Sequence, residues 1–295
     1  MLTVDRSRLI MKKRSKKKLL GFVGKIFKLL LKLIFVYPAK GIYKLMLYFG
    51  KHIRLQYYLH RENKQKQHDE SQRPKIIAKY SPLREIRNKK GSFSAFEKKL
   101  MTNESTIGII LGARGTGKTA IGTRLLENFA AKSEKYTYAL GFKEEELPSW
   151  IKVIKSVEEI DTNAVLLIDE GGIEFSSRNS MSKANKILSD ILLIARHKDL
   201  SVIFIAQNST NLEINAIRQA DYLILKPSSL LQKDFERKKI REMYQEVEKD
   251  FTELAETEGI TYIYADNYQG FVVNTLPSFW SERVSKGYRN MSHKK

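Results

Sequence analysis

From residue 93 onward, short apolar runs alternate with segments whose apolar residues recur at helical spacing. The apolar runs predict strands at 106–111, 136–140, 151–154, 165–168, 201–206 and 222–225. Helical spacing predicts helices over 120–131 and 183–198. Strands that alternate with helices in this way are typical of a mostly parallel sheet with helices on its faces. The pattern therefore predicts an α/β fold for this part of the chain.

The N-terminal apolar segment differs, because lysines interrupt it. Between residues 19 and 37, Lys25, Lys28 and Lys32 share one helical face and leave large apolar residues on the others. The apolar side chains favour bilayer insertion by roughly 4 to 8 kcal/mol, whereas the three lysines oppose it by roughly 7 to 10 kcal/mol. We therefore expect a basic amphipathic helix that lies in the membrane interface. A helix packed on a partner subunit remains the alternative.

The remaining patterns divide the chain into four regions. Residues 42–58 again mix aromatic residues with lysines, so residues 1–60 are assigned to a basic amphipathic helical arm that associates with an anionic membrane surface. Residues 61–92 are polar and predict a linker. Residues 93–228 form the predicted core. Residues 229–295 predict a C-terminal extension with a helix and a β-hairpin that turns at 267–270.

Charge is distributed unevenly along the chain. The formal net charge is +20, and the first 100 residues hold 27 lysines and arginines against 6 acidic residues. The other residues are close to neutral. The basic arm is therefore the predicted contact with an anionic surface, and charge alone leaves nucleic acid and anionic lipid as alternatives. The chain has no cysteine, which excludes disulfides, thiol catalysis and cysteine zinc sites.

A glycine-rich stretch, GARGTGKTA, lies between the first predicted strand and the first predicted helix of the core. Its glycines let backbone N–H groups approach a triphosphate closely. We expect Lys118 to reach the β- and γ-phosphates of ATP, and Thr119 to ligate Mg²⁺ through its hydroxyl. The predicted nucleotide-binding residues are Gly112, Ala113, Arg114, Gly115, Thr116, Gly117, Lys118, Thr119 and Ala120.

Two adjacent carboxylates follow the apolar strand at 165–168. Ligands gather at the carboxyl ends of parallel strands, so Asp169 and Glu170 are expected near the phosphates. Asp169 is predicted to hold Mg²⁺, and Glu170 to polarise the attacking water.

Two further residues flank the next strand. Gln207 ends it and is predicted to sense the γ-phosphate. Arg196 precedes it, and two interpretations stay open for this residue. It stabilises the transition state in a neighbouring subunit as an arginine finger, or it is a surface charge near a helix C-terminus.

The order GARGTGKT, VLLIDE, IARHKDLSVIFIAQN and IRQADYLILKP resembles the FtsK–HerA superfamily of DNA-pumping ATPases. The similarity covers residues 105–227. Within the superfamily, this segment resembles in particular the compact zonula-occludens-toxin-like and viral genome-packaging members. By this resemblance the phosphate-loop lysine is Lys118, the Mg²⁺ aspartate is Asp169 and the catalytic glutamate is Glu170. The sensor glutamine is Gln207, and the arginine before its strand is Arg196.

The resemblance implies a P-loop NTPase of the RecA-like ASCE type that forms a homo-oligomeric ring, a hexamer, around DNA. The resulting hypothesis is an ATP-driven translocase of double-stranded DNA, membrane-associated, that packages a viral genome or moves DNA across an envelope. Its expected location is the cytoplasmic face of a membrane, or a membrane in a virus or its host cell. The alternative is a membrane-recruited P-loop ATPase that assembles or remodels protein complexes without a DNA substrate.

Overall fold

The sheet that organises the chain is mixed, and its parallel part carries the predicted motifs. The computed structural model describes residues 21, 24–32, 37–103, 105–171, 180–281 and 284. It divides into two compact units, residues 1–68 and 69–295. The first unit contains helical residues 24–31 and most of helix α1 (Tyr37–Gln72). Residues 1–20, 22–23 and 33–36 of the predicted arm lie outside the described ones.

The second unit contains the sheet and its helices. Its strands are β1 (Arg84–Gly91), β2 (Ile107–Leu111), β3 (Tyr136–Leu140), β4 (Ile151–Ile154), β5 (Ala164–Asp169), β6 (Leu200–Ile205), β7 (Tyr222–Leu225), β8 (Ile260–Ala265) and β9 (Tyr268–Val273). Its helices are α2 (Phe93–Thr102), α3 (Lys118–Lys132), α4 (Ser180–Ala195), α5 (Ile214–Gln219), α6 (Leu230–Phe235), α7 (Lys238–Glu246) and α8 (Glu248–Glu253).

Within the described residues, the strands form one sheet in the order β1-β9-β8-β7-β2-β6-β5-β3-β4. The six strands from β7 to β4 are parallel, whereas β8, β9 and β1 are joined by antiparallel pairing. The predicted parallel sheet with flanking helices is confirmed, and the strand that bears Gln207 lies between the strand of the phosphate loop and that of Asp169. The fold is that of a P-loop NTPase.

Alternation along the strands produces a core on each face of the sheet. In β2, Ile109 and Leu111 belong to one buried cluster and Ile110 to the other, because successive side chains of a strand point to opposite faces. Helix α4 packs on the first cluster through Leu188 and Ile191, and α3 contributes to the second. The sheet therefore holds the phosphate-loop helix rigidly on one side.

The structure differs from the predicted linker at 61–92. Residues 61–72 continue α1, since Glu, Lys, Gln and Arg are good helix formers and the first proline after them is Pro74. Residues 84–91 form the edge strand β1, which pairs with β9. Arg87 also forms ion pairs with Asp250 and Glu253. A polar strand of this kind is held by backbone pairing, which hydropathy does not reveal.

The predicted C-terminal hairpin is present, but it is part of the central sheet. Strand β8 pairs antiparallel with β7 through residues 222–225 and 262–265. The turn consists of Asp266 and Asn267, and Gly270 lies inside β9. A side chain at Gly270 would place its Cβ 2.7 Å from the carbonyl oxygen of Arg87. Gly270, which the sequence predicts as a turn residue, therefore allows β9 to approach β1 closely.

Candidate active site

The phosphate loop follows β2 and leads directly into α3. Gly112, Gly115 and Gly117 have φ values of 149°, 82° and 90°, a backbone region that disfavours side chains. At Gly112 an added Cβ would also lie 2.6 Å from the Cβ of Lys226. The glycines of the motif are therefore required by the conformation of the loop.

The other residues of the phosphate loop are held by hydrogen bonds or lie at the start of α3. Ala113 donates its N–H to the carbonyl of Pro227 at 2.9 Å, and the Thr116 hydroxyl donates to the Ala113 carbonyl at 2.8 Å. Arg114 is exposed and Ala120 is buried in the first turn of α3. The helix begins at Lys118. Its N-terminus therefore adds unpaired N–H groups and the positive end of its dipole to an anion site.

Lys118 is 8% exposed and lies along the loop. Its amine donates to the carbonyls of Gly112 at 2.8 Å and Ala113 at 2.9 Å. Burial lowers the pKa of Lys118, and the nearby carboxylates of Asp169 and Glu170 partly offset that change. A phosphate bound beside this amine would favour its charged form, which burial disfavours.

Thr119 and Asp169 bring two oxygen atoms close together beside the phosphate loop. The Thr119 hydroxyl lies 3.3 Å from Asp169 Oδ2, and Asp169 Oδ1 accepts the N–H of Gly171 at 3.0 Å. Neighbouring ligands in a Mg²⁺ octahedron with bonds of 2.0–2.1 Å are about 2.9 Å apart. The pair therefore fits Mg²⁺ in donor type, and its separation is about 0.4 Å longer than that of neighbouring ligands.

Glu170 is buried, with 4% of its surface exposed, at the start of the segment that follows β5. Its Oε2 accepts the backbone N–H of Gln207 at 3.3 Å. Gln207 itself is exposed at the end of β6. The predicted catalytic glutamate and the predicted sensor glutamine thus lie side by side.

The sheet order explains why these residues meet. Strands β2, β6 and β5 are adjacent and parallel. Each of them delivers its following residues to the same edge: the phosphate loop, Gln207 and the pair Asp169–Glu170. This is the edge at which ligands of open parallel sheets bind.

Arg196 lies at the opposite edge of the sheet. It precedes β6, whereas Gln207 follows that strand of six residues, a span of about 20 Å at 3.3 Å per residue. Arg196 is exposed and lines a cavity of about 500 Å³ with Thr102, Asn103, Ser105 and Asp199. The structure therefore does not bring Arg196 to the nucleotide site of its own chain.

Lys226, which the sequence motifs did not indicate, lies beneath the phosphate loop. This lysine is 1% exposed, and its amine donates to the carbonyls of Gly259 at 2.9 Å and Ile260 at 3.0 Å and to Asn274 Oδ1 at 3.2 Å. Burial lowers the pKa of Lys226 to about 7. Its position directly after β7, at the same edge as the other site residues, is the signal that would have found it.

The family model for zonular occludens toxin (Zot) matches residues 122–224, about a third of this chain. The match begins after the phosphate loop and includes Asp169, Glu170, Arg196 and Gln207. The resemblance inferred from the sequence motifs is thereby confirmed. A comparison with curated proteins gives no match.

Solved structures with a similar fold include three kinds of ATPase or related domain. The genome packaging NTPase B204 from Sulfolobus turreted icosahedral virus 2, in complex with ATP-gammaS, is 14% identical, with a TM-score of 0.38 over 60% of this chain and 100% of that one. EssC (ATPases 2 and 3) from Geobacillus thermodenitrificans is 12% identical, with a TM-score of 0.38 over 75% of this chain and 52% of that one.

The N-terminal domain of zonular occludens toxin from Neisseria meningitidis is 14% identical, with a TM-score of 0.29 over 61% of this chain and 96% of that one. These TM-scores are low, so the fold assignment rests on the strand order of the chain itself and on the Zot match. The strand order and the site geometry support the role of an NTPase.

Proposed function

We propose that this chain is an ATPase that moves double-stranded DNA and works at a membrane surface. The observation that carries the ATPase part is the meeting of three strand ends at one sheet edge. There the loop with Lys118 and Thr119 lies beside Asp169 and Glu170. A cation, two metal-ligand oxygens and a buried carboxylate are the groups that phosphoryl transfer to water requires.

Each residue has a defined task in this reaction. Lys118 and the N–H groups at the start of α3 bind and orient the phosphates. Thr119 and Asp169 would hold Mg²⁺, which would supply positive charge to offset the charge of the phosphates. Glu170 orients the attacking water and accepts its proton on the carboxylate. The backbone N–H of Gln207 holds Glu170 Oε2 in place for that step.

DNA as the substrate is supported by the resemblance to the FtsK–HerA superfamily and by the charge of the chain. The first 100 residues carry 27 basic against 6 acidic side chains. Positive charge of this size attracts a polyphosphate backbone regardless of its base sequence.

A membrane surface is supported by the side chains of the first unit. Lys25, Lys28 and Lys32 are exposed on helical residues 24–32 together with Phe27 and Leu30. In α1, large side chains such as Tyr48, Phe49, Ile53 and Tyr57 are also more than half exposed. Basic and aromatic residues on an exposed helix are typical of an interfacial segment. None of the helices in the described ranges is both long enough and apolar enough to cross a membrane.

A ring of identical chains is supported by the place of Arg196. Since it lies at the sheet edge away from its own phosphate loop, it reaches a nucleotide only in a neighbouring copy. An arginine supplied in trans is a known way to stabilise the transition state of ATP hydrolysis. The proposed assembly is a hexamer.

The first test is ATP hydrolysis by the purified full chain with and without double-stranded DNA. Salt should be moderate, because basic segments bind DNA nonspecifically at low salt. The parallel sample is a chain that starts at Asp69, the beginning of the second compact unit. We expect DNA to stimulate both samples. Absence of hydrolysis in the full chain would refute the ATPase, and stimulation only in the full chain would place DNA on the basic arm alone.

A second candidate function is a membrane-recruited ATPase that remodels protein complexes. The exposed aromatic residues of α1 favour it, because they fit a lipid surface whether or not DNA is bound. Turnover that responds to anionic vesicles but not to DNA would support this candidate. Flotation with anionic and with neutral vesicles tests the membrane part for both functions, and equal flotation with the two would contradict an anionic surface.

A further inference from the structure

One short segment of the chain holds the loop that follows β6. In this loop, Ser209 donates its backbone N–H at 2.8 Å and its hydroxyl to Glu236 Oε2. Glu236 is 4% exposed. The next residue, Arg237, donates its own N–H to Ser209 Oγ and its Nε to the Ser209 carbonyl, both at 3.0 Å. The loop is therefore fixed by residues 232–237 rather than by the sheet.

The same segment reaches the sensor glutamine. The side-chain amide of Gln232, on α6, donates to the carbonyl of Gln207 and to Glu236 Oε1, the latter at 3.3 Å. On its other side, Gln207 donates its N–H to Glu170 Oε2 at 3.3 Å. A continuous series of hydrogen bonds thus runs from Glu236 through Gln232 and Gln207 to Glu170.

We propose that Gln232 is a positioning residue for the active site, which fixes the peptide groups of Gln207 and through them the carboxylate of Glu170. The proposal rests on the proposed function in that Glu170 needs precise placement only if it orients a water for hydrolysis. A reacting group that is displaced by about 1 Å loses roughly two orders of magnitude in rate. A single N–H donor that holds the neighbouring peptide is therefore sufficient to affect turnover.

Helix α6 is suited to substitution because little of it belongs to the core. Leu231 and Phe235 are 75% and 70% exposed, and Gln232 is only partly buried. A change at Gln232 therefore alters the contact with Gln207 without opening a cavity.

Three variants of the full chain distinguish loss of the positioning hydrogen bond from general destabilisation of the protein. Gln232→Glu keeps the size of the side chain but removes the N–H donor and sets a carboxylate against the Gln207 carbonyl and Glu236. Gln232→Lys keeps an N–H donor and adds a charge that Glu236 attracts. Gln245→Glu makes the same chemical change as the first variant on the exposed surface of α7.

The first measurement is the steady-state rate of ATP hydrolysis. We expect Gln232→Glu to lower kcat roughly 10-fold, as is typical when the partner of an active-site group is lost. The KM for ATP should stay within about twofold, because the phosphate loop is unchanged. Gln232→Lys should retain most of the activity and Gln245→Glu all of it. Equal losses in the Glu and Lys variants would overturn the proposal.

Hydrogen exchange provides a readout that needs no turnover. We expect amides of residues 206–212 to exchange faster in Gln232→Glu than in the unchanged chain, while Gln245→Glu leaves them unaffected. Unchanged exchange in Gln232→Glu would refute the positioning role even if the chain hydrolyses ATP. If Gln232→Glu exchanges faster and the unchanged chain does not hydrolyse ATP, the positioning role is kept and the proposed function is refuted.

Discussion

The Thr119 hydroxyl lies 3.3 Å from Asp169 Oδ2, although the two residues are 50 positions apart in the chain. They meet because β2 and β5 are parallel and separated only by β6. This contact joins the phosphate loop to the acidic strand end. A Mg²⁺ site built on it depends on both residues.

The first prediction concerns this site. Asp169→Asn removes the negative charge and keeps the shape of the side chain. We expect the rate of hydrolysis to fall by roughly 100-fold or more, because several kcal/mol of charge stabilisation in the transition state would be lost. A titration of activity with Mg²⁺ measures the change. Asp190→Asn, on the exposed side of α4, is the matched control and should keep full activity. Similar losses in the two variants would contradict a metal role for Asp169.

Glu170→Gln separates binding from chemistry. The amide oxygen can still accept the N–H of Gln207, so we expect ATP binding to persist. The side chain can no longer accept a proton, so kcat should fall by about 10² to 10⁴. A fluorescent ATP analogue measures binding and phosphate release measures turnover. Retained turnover would remove Glu170 from the mechanism; Glu256→Gln on the surface is the control.

The sequence predicted the fold and most of the site for a physical reason. Buried parallel strands are continuous apolar runs, such as the one over residues 165–168, and their polar ends identify the ligand edge. That rule predicts Asp169, Glu170 and Gln207 at one edge of the sheet, which is where the structure has them.

The rule did not extend to contacts made by polar segments. Strand β1 is held by pairing with β9 and by ion pairs of Arg87, and neither feature has an apolar signal. Gln232 reaches Gln207 only through a tertiary hydrogen bond between residues 25 apart. Arg196 lies before β6, as the sequence indicates, but its separation from the phosphate loop is apparent only from the structure.

A buried ion pair in α3 yields a prediction on stability. Arg124 and Glu127 are paired at 2.7 Å with almost no exposed surface. Glu127 also accepts the N–H groups of Lys79 at 3.1 Å and Ser278 at 3.0 Å. Glu127→Gln leaves the guanidinium buried without its counter-charge, so we expect a loss of about 3 kcal/mol or more in the free energy of unfolding.

Chemical denaturation measures this loss, and Glu134→Gln, just beyond the end of α3 and exposed, should change stability little. Because Glu127 ties two distant segments to α3, protease cleavage near residues 79 and 278 should also increase in the variant. A stability equal to that of the unchanged chain would show that the pair contributes nothing beyond an apolar contact.

Lys226 predicts a dependence of stability on pH. Burial lowers its pKa to about 7 in the folded chain, whereas an unfolded lysine titrates near 10.4. Between these values the unfolded state binds more protons, so the free energy of unfolding rises with pH in this window. From pH 7 to pH 9 the rise from this residue is about 2 kcal/mol.

The test compares the unchanged chain with Lys226→Met, which keeps the stem beneath Gly112 but has no titrating amine. The difference in unfolding free energy between the two chains should shift in favour of the unchanged chain as pH rises from 7 to 9. Parallel pH profiles would show that Lys226 keeps its proton throughout this range. Such a result would fit an ammonium held by all three of its oxygen partners.

The last prediction concerns the partition of the site between neighbouring chains. Arg196 lies at the sheet edge away from its own phosphate loop. In the proposed ring, Arg196→Ala should therefore damage the site of the adjacent copy, whereas Glu170→Gln should damage the site of its own chain. Each variant alone should lose most ATP hydrolysis, because an arginine finger contributes 10³–10⁵ in rate in other NTPases.

The mixing experiment lets the two inactive variants exchange subunits. At some of the resulting interfaces, the Arg196→Ala chain supplies an intact Glu170 and the Glu170→Gln chain supplies an intact arginine. Activity should therefore return on mixing, whereas Glu170→Gln mixed with Asp169→Asn should stay inactive because both changes lie in the same half of the site. Full activity of Arg196→Ala by itself would leave the arginine as a surface charge and remove this support for a ring.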